Sequence, residues 1–387
     1  MMTLSICGNL FAWVERKTHS RHYPLYLTIT LVCISLFLAF PRYDRHWNSV
    51  SWETTFLKAD DLTNNLQQIP PDSYLAKKVF RLTVPVIIHV LHLNRTAVLA
   101  IQFIIGVLLL YFAYQLALRI MHDPVSATLF TAGLTFLYCG HTCFTEITYT
   151  WFDGWAYFFL LMACYFKRFL PVFLFATLAA WTDERALIIL PITVLFHQID
   201  TKDPQRFRYQ RLLTLNKSSI AVFSALGVYA LVRTWLSHRY HMYTPNQGAG
   251  FMDLKKNILH NSFGFGAFTF LEGFWLLAPL TLFFSWKNRH YTFLSLLLVQ
   301  LTLSSVVAFC VADLTRSGSY IMPALFIFLV YLVDHIETWM MRPLLLICLF
   351  FSLIFPPINY ISFSDLSYQT DKPFPWVLYS IMTGYIK

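Results

Sequence analysis

Long apolar runs recur along this chain from Tyr26 to Tyr360, and they constrain its fold more than any other feature. A helix needs about 20 residues to cross the hydrocarbon core of a bilayer, and many of these runs approach that length. Hydrophobic residues make up 57% of the 387 residues, whereas only 13% are charged, well below the charged fraction of a soluble domain. The pattern predicts an all-α, polytopic integral membrane protein, with a single membrane domain over residues 1–387.

About eleven segments are apolar enough to be predicted as transmembrane helices. They lie at residues 24–40, 95–119, 124–139, 153–167, 169–182, 185–197, 217–236, 263–285, 291–311, 317–334 and 342–358. If the N-terminus is cytoplasmic, Lys and Arg collect in the inside loops, in agreement with the positive-inside rule. These residues account for the net charge of +9. They form no single basic patch, so the charge does not indicate a nucleic-acid partner.

Three consecutive ionisable residues, Asp183, Glu184 and Arg185, interrupt the apolar sequence in "WTDERALIILP". One continuous helix over 169–197 would put the basic residues that flank it on opposite sides of the membrane. The positive-inside rule therefore favours a hairpin of two short helices. Such arms, of about 15 and 12 residues, would be about 22 Å and 18 Å long, shorter than the core of about 30 Å. The three charges are then expected at or below the outer surface, facing a functional cavity; a solvated loop with a local ion pair is the alternative.

The first break in hydrophobicity is predicted to be an external loop over residues 41–94. Segments 49–67 and 73–92 have helical composition and are predicted to lie along the membrane interface. The adjacent acids Asp60 and Asp61 would be able to bind a divalent cation through oxygen ligands, or they belong to a solvated helix surface. Two further external segments are predicted, a loop at 237–262 and a short C-terminal tail at 359–387.

Three strings in the first half of the chain resemble motifs of a known superfamily. "RYDRHWNS" follows the first span, "YLAKKVFRLTVP" closes the loop, and "WTDERALIILP" comes later. In their order and spacing they resemble the membrane-embedded glycosyltransferases of the GT-C fold superfamily. Asp44 matches the catalytic Asp that those proteins carry after the first span, and Arg81 and Pro85 match the string that closes their loop. This chain departs from the pattern at Arg45, where Gly is frequent, and the likeness covers roughly residues 20–200.

The resemblance implies inverting transfer of a sugar from a polyprenyl-phosphate donor to an acceptor hydroxyl, with Asp44 as general base. The acceptor would be a glycan, a lipid or a protein. Candidates to hold the departing phosphate are Arg185, Arg81 and Arg316, and Asp183 and Glu184 would orient an arginine or bind the acceptor. The site would face the periplasm from a bacterial inner membrane. Some members of the superfamily need a metal and others do not, and no clear set of metal ligands is visible in this sequence.

The second external turn, "HTCFTEITYTWFDGWAYF", places Glu146 and Asp153 beside Trp151. Carboxylates beside aromatic rings suit binding of an acceptor or sugar, and they also suit an ordinary interfacial belt. Two other functions fit an apolar chain with intramembrane charges. One is a transporter or flippase, although no internal repeat is visible. The other is a polysaccharide polymerase or ligase of another fold, in which the longest external loop generally comes late in the chain.

Overall fold

The structure is a computed structural model of the chain. It describes residues 11–18, 20–39, 50–64, 66, 78–147, 149–201, 206–243, 254–255, 258, 262–311, 313–354, 359–362, 365–368 and 382–383. Asp44, the predicted general base, lies outside the described residues, and so does most of the predicted external loop at 237–262.

Helices form nearly all of the described chain. Their bounds are α1 Tyr23–Ala39, α2 Val50–Asp60, α3 Thr83–Leu91, α4 Arg95–Met121, α5 Pro124–Phe136, α6 Tyr138–Thr145, α7 Asp153–Tyr165, α8 Phe169–Thr182, α9 Arg185–Ile199, α10 Tyr209–Leu213, α11 Lys217–Tyr240, α12 Ser262–Leu271, α13 Leu277–Lys287, α14 Tyr291–Phe309, α15 Leu314–Gly318, α16 Pro323–Val333 and α17 Thr338–Ile354. Two short strands, β1 Asn359–Ser362 and β2 Asp365–Tyr368, pair antiparallel. This hairpin lies in the predicted C-terminal tail and was not part of the all-helical prediction.

Five helical segments of the described chain are long and apolar enough to cross a membrane. They are Arg95–Met121, Lys217–Tyr240, Gly266–Lys287, Tyr291–Phe309 and Leu314–Val333. The prediction of a helical protein with membrane-spanning segments is therefore confirmed by the length and composition of these helices. The other predicted spans coincide with helices of 17 residues or fewer, and the count of eleven stays a prediction.

Several helices begin at the predicted residue because the sequence supplies an N-terminal cap. Asn94, Asp123 and Asn216 each accept a hydrogen bond from the backbone N–H three residues later, at 2.8–3.0 Å. These bonds satisfy amide groups that the first helical turn leaves unpaired. Asp123 also pairs with Arg342 through two hydrogen bonds of 2.8 and 3.0 Å, which ties the start of α5 to α17.

The hairpin predicted around Asp183 is present. Helix α8 ends at Thr182, Asp183 has extended backbone angles, and α9 begins at Arg185. The far ends of the two arms meet, because the ammonium group of Lys167 lies 3.0 Å from a carboxylate oxygen of Asp200. The tip at 183–185 therefore lies at the opposite end of the hairpin from this ion pair.

Two of the long apolar segments are interrupted by 3₁₀ turns. A 3₁₀ turn at Glu272–Leu276 separates α12 from α13, and another at Ser319–Ile321 separates α15 from α16. Helix α15 packs closely on α12, since a Cβ atom on Gly318 would lie only 1.9 Å from the ring of Phe270. The interruption leaves α15 as a short helix that carries Arg316 and Ser317.

The described part of the loop at 41–94, predicted to be external, contains two helices, as predicted, but both are shorter. Helix α2 ends where Asp61 accepts hydrogen bonds from the backbone and hydroxyl of Thr63. The two helices are joined by a 2.8 Å hydrogen bond between His89 of α3 and the carbonyl of Ala59. Trp52 anchors α2 to the turn between α6 and α7 by donating to the carbonyl of Ile147 at 2.8 Å. The two loops thus form one layer at the end of the bundle that holds the hairpin tip.

Candidate functional site

Four segments that are distant in sequence meet at this end of the bundle. They are the end of the first loop at 78–81, the second external turn at 146–153, the hairpin tip at 182–185 and the interrupted span at 313–320. Together they bring five of the predicted site residues into one ionic network: Arg81, Asp153, Asp183, Arg185 and Arg316.

Asp183 joins the hairpin tip to the first loop. Its carboxylate accepts hydrogen bonds from the backbone N–H and the guanidinium of Arg185 at 2.8–2.9 Å. It also forms an ion pair of 2.9 Å with Arg81. Burial alone would raise the pKa of Asp183, but the two guanidinium groups hold it below its usual range. Asp183 therefore stays ionised and fixes the position of both arginines.

Asp153 is the second buried anion of the network. It lies in the first turn of α7 with its side chain fully shielded from solvent. Its two oxygens accept from Arg185 at 2.7 Å, Arg316 at 2.7 Å and the Tyr320 hydroxyl at 3.1 Å, with a longer contact of 3.4 Å from Tyr138. A buried charge needs such partners to offset its desolvation. Asp153 therefore orients the arginines rather than presenting a free carboxylate.

Arg185 and Arg316 are held on several sides. Arg185 also donates to the Ser317 hydroxyl at 2.9 Å, and its guanidinium lies 4.8 Å from the ring centre of Tyr320. Arg316 forms an ion pair with Asp313 as well as with Asp153. These contacts lock the hairpin tip to the interrupted span. They leave both arginines with little solvent exposure, 14% and 5% of their side chains.

Glu146 lies at the edge of this network, directly after α6. Its carboxylate accepts a 2.6 Å hydrogen bond from the backbone N–H of Tyr149, and Gln102 donates to its main-chain carbonyl. Burial raises the pKa of Glu146 to about 7, although the bond from Tyr149 acts in the opposite direction. A carboxyl group with this pKa exchanges protons near neutral pH, as a general acid or base must.

Lys78 links the first loop to the second external turn. Its ammonium group donates to the carbonyl of Tyr149 at 2.7 Å and to the carbonyl and hydroxyl of Thr150 at 3.3 and 2.8 Å. Thr150 and Phe152 both have positive φ angles, of 49° and 55°. A β-branched residue rarely adopts this conformation, and it persists only where surrounding contacts hold it. The bonds from Lys78 supply such contacts at Thr150.

A pocket with an empty volume of about 320 Å³, partly open solvent, lies between the first loop and the second turn. Its lining residues are Thr54, Thr55, Lys58, Leu66, Lys78, Arg81, Pro85, Thr150 and Phe152. They contribute three cationic side chains and three hydroxyl groups but no carboxylate. We call this the cationic pocket.

Burial affects all three cationic side chains of this pocket. Burial lowers the pKa of Lys58 to about 8, with Asp61 acting in the opposite direction. Burial also lowers the pKa of Lys78 well below its usual value. The Nε atom of Arg81 is buried and has no hydrogen-bond partner among the described residues. An anion in the pocket would stabilise the charged form of each lysine and would accept hydrogen bonds from Thr hydroxyls.

Glu184 is the described site candidate that the structure places away from the network. It pairs with Arg233 of α11 at 2.5 Å, and Arg233 in turn donates to Tyr229 and lies over the ring of Phe80. Asp60 and Asp61 form no metal-binding cluster with their described neighbours. Among the described residues, no group of three or more His, Cys, Asp or Glu side chains could hold a metal ion.

Sequence reasoning missed several members of the site, namely Lys58, Lys78, Tyr138, Ser317 and Tyr320. The first two are visible in the sequence only as lysines of the loop, in "FLKAD" and "AKK", and nothing there distinguishes them from the other basic residues of that loop. The two tyrosines are indistinguishable in sequence from the many other aromatic residues of the spans.

Comparison with known proteins found no relative of this chain. No family model, no curated protein and no solved structure matches the chain.

Proposed function

We propose that this protein is a membrane glycosyltransferase of the GT-C type, which transfers a sugar from a polyprenyl-phosphate donor to an acceptor hydroxyl. The observation that carries the proposal is the cationic pocket with Lys58, Lys78 and Arg81. A phosphate diester or monoester is the anion that such a pocket suits, because three cations and three hydroxyls match its charge and its acceptor oxygens. The apolar helices beside the pocket would accommodate a polyprenyl chain.

In this proposal the pocket binds the phosphate that leaves the donor. Arg81 would contact it through the Nε side of its guanidinium, because Nη2 is engaged by Asp183. Arg185 is bound to Asp153 and Asp183, and Arg316 is bound to Asp153 and Asp313, so they would add positive potential close to the leaving group without moving. Preorganised charge of this kind stabilises a transition state because it needs no rearrangement during the reaction.

Asp44 is proposed as the general base, on the strength of the motif resemblance. It would remove the proton of the acceptor hydroxyl while the oxygen attacks the anomeric carbon. The bond between that carbon and the phosphate oxygen breaks, its electron pair leaves with the lipid phosphate, and the configuration inverts. Glu146, with a pKa of about 7, would exchange protons beside the same site.

We also propose that the site faces the outside of a bacterial inner membrane. At the other end of the hairpin, Arg119 of α4 joins Lys167 and Asp200 in one ion-pair cluster, and the basic segment at 202–217 follows in the sequence. Such positive segments are typical of the cytoplasmic side.

Binding and transfer can be tested separately on the full-length protein in lipid nanodiscs. Native mass spectrometry with polyprenyl phosphate and with unphosphorylated polyprenol would measure binding, and a panel of polyprenyl-phosphate hexoses and pentoses would measure transfer. We expect binding to depend on the phosphate. Asp44→Asn should abolish transfer and leave this phosphate-dependent binding intact. Equal binding of polyprenol and polyprenyl phosphate would overturn the proposal. Movement of labelled lipid across vesicles without any transfer would favour a flippase instead.

A further inference from the structure

The segment at 78–81 serves two different surroundings within one short turn. The backbone N–H of Arg81 donates to the carbonyl of Lys78 at 2.9 Å, which closes the turn. Lys78 and Arg81 line the cationic pocket. Between them in the sequence, Val79 and Phe80 are each only 1% exposed. The contacts that hold Val79 and Phe80 therefore also determine where the two cations lie.

Val79 and Phe80 belong to a small hydrophobic cluster that is separate from the main core. The buried members of this cluster are Leu66, Val79, Phe80, Leu236 and Met242, and Leu82, Trp181 and Tyr240 pack against it. Leu236 lies in α11 and Trp181 in α8. A cluster of this size buries much less apolar surface than the main core, so by itself it holds the turn less firmly.

Arg233 of α11 adds a further contact to the turn. Its guanidinium carbon lies 4.3 Å from the centre of the Phe80 ring. A guanidinium within about 6 Å of a ring centre is attracted to the electron-rich face of the ring. The same guanidinium pairs with Glu184 at 2.5 Å and donates to the Tyr229 hydroxyl at 2.6 Å. Arg233 thus connects the turn at 78–81 to the hairpin tip.

Two adjacent residues of the turn and two adjacent residues of the hairpin tip are therefore joined twice. Arg81 pairs directly with Asp183 at 2.9 Å. Phe80 is linked to Glu184 through Arg233. Two attachments side by side restrict rotation of the turn, which a single ion pair would allow.

We propose that Arg233 is a positioning residue of the cationic pocket. It acts through Phe80: the guanidinium fixes the ring, and the ring fixes the turn that carries Lys78 and Arg81. A phosphate in the pocket then meets cations that are already oriented, and such preorganisation raises affinity because less entropy is lost on binding. The inference rests on the proposed function for the identity of this phosphate as that of a polyprenyl lipid.

The test uses the full chain in lipid nanodiscs. Arg233→Met removes the guanidinium and keeps an unbranched side chain, whereas Arg233→Lys keeps a cation. Glu184→Gln is a second variant, in which Arg233 loses its acidic partner. Hydrogen–deuterium exchange of peptides that contain residues 78–82 measures the order of the turn. Native mass spectrometry measures the binding of polyprenyl phosphate.

Arg206 provides the matched control, because it makes the same kinds of contact at the opposite end of the hairpin. Its guanidinium carbon lies 5.2 Å from the centre of the Phe207 ring, and it pairs with Asp334. It also donates to the carbonyl of Thr201, next to Asp200 at that end. Arg206→Met should leave the exchange of the turn and the binding of polyprenyl phosphate unchanged.

We expect Arg233→Met to speed exchange at 78–82 and to weaken polyprenyl-phosphate binding, each about two- to fivefold, as loss of a partly exposed cation–π contact implies. Glu184→Gln should act in the same direction and by less. Arg233→Lys should stay close to the wild type in both measurements, because a cation remains over Phe80 and beside Glu184.

Unchanged exchange in both Arg233→Met and Glu184→Gln, or an equal change in Arg206→Met, would overturn the positioning role. Faster exchange with wild-type affinity would also overturn it, since Arg233 would then support the fold alone. So would a loss in Arg233→Lys as large as that in Arg233→Met. If the wild type itself binds no polyprenyl phosphate, the proposed function fails, and exchange at the turn decides whether Arg233 fixes it.

Discussion

The ammonium group of Lys78 holds Thr150, a residue 72 positions further along the chain, through its carbonyl and its hydroxyl. This contact joins the loop after α1 to the turn between α6 and α7, at the point where Thr150 has a positive φ. Lys78 also lines the cationic pocket. One side chain therefore supports the conformation of the second turn and lines the pocket, where a bound anion would stabilise its charged form.

Replacing Lys78 by Met should weaken both the support of the second turn and the binding of an anion in the pocket. We expect binding of polyprenyl phosphate to fall about tenfold or more, because a charge-assisted hydrogen bond contributes roughly 1.5–3 kcal/mol. Native mass spectrometry of the nanodisc protein measures this. Lys287→Met is the control, since Lys287 is an exposed lysine at the end of α13. Equal loss in both variants would show that overall charge, and not the pocket, governs binding.

Anion binding should also depend on pH through Lys58. The pKa of Lys58 is lowered to about 8 by burial, so the free protein loses this charge as the pH rises through that value. We expect the affinity for polyprenyl phosphate to decrease between about pH 7 and pH 9. Lys58→Arg should retain its affinity over this range, because arginine stays protonated. A wild-type affinity that is constant from pH 7 to 9 would contradict this role of Lys58.

The stability of the protein should depend on pH through Glu146. Its pKa is raised from about 4.5 to about 7 in the folded protein, so folding favours the protonated form. The stabilisation is complete below about pH 4.5 and is lost as the pH rises through 7, with a total on the order of 3 kcal/mol. Thermal unfolding of the wild type and of Glu146→Gln between pH 4.5 and 8 checks this. The difference in Tm between the two proteins should change across this window, and a constant difference would show that Glu146 does not titrate there.

Neutralising Asp183 should lower the stability of the protein much more than neutralising its neighbour Glu184. Asp183→Asn removes the anion between Arg185 and Arg81 in a buried setting, and breaking such a pair costs roughly 3–5 kcal/mol. Glu184→Gln breaks a more exposed pair with Arg233, with an expected cost of about 1 kcal/mol or less. Thermal unfolding of both variants at one pH compares them directly. Similar losses of stability would contradict the central place of Asp183.

The hairpin was predictable from sequence because it follows from the distribution of basic residues along the chain and not from contacts between individual side chains. Basic residues before and after the two arms cannot lie on opposite sides of the membrane without violating the positive-inside rule, and Lys167 does meet Asp200. The partners at the tip were not predictable. Asp183 and Glu184 are adjacent, yet one is fully buried between arginines and the other reaches a different helix. Which way each side chain points depends on where α8 ends.

The remaining members of the site depend on contacts between distant segments. Asp153 was a candidate from its place beside aromatic residues, but its binding of Arg185 and Arg316 requires three separate segments to converge. Lys78 had no distinguishing pattern, since its partner is set by tertiary packing. The motif resemblance identified Arg81 and the hairpin tip as neighbours of a site, and the role of each residue stays a prediction.

The short arms of the hairpin have a consequence for a lipid substrate. Helices α8 and α9 contain 14 and 15 residues, or about 21–23 Å of helix, several ångströms less than the hydrocarbon thickness. If the far ends of the arms lie at the cytoplasmic surface, as proposed, the charged groups at their tip would lie several ångströms below the outer lipid head groups. A phospholipid-like donor would reach them by lateral diffusion, with its chain still dissolved among other acyl chains. Extraction into water, at about 0.8 kcal/mol for each methylene group exposed, would not be part of its binding.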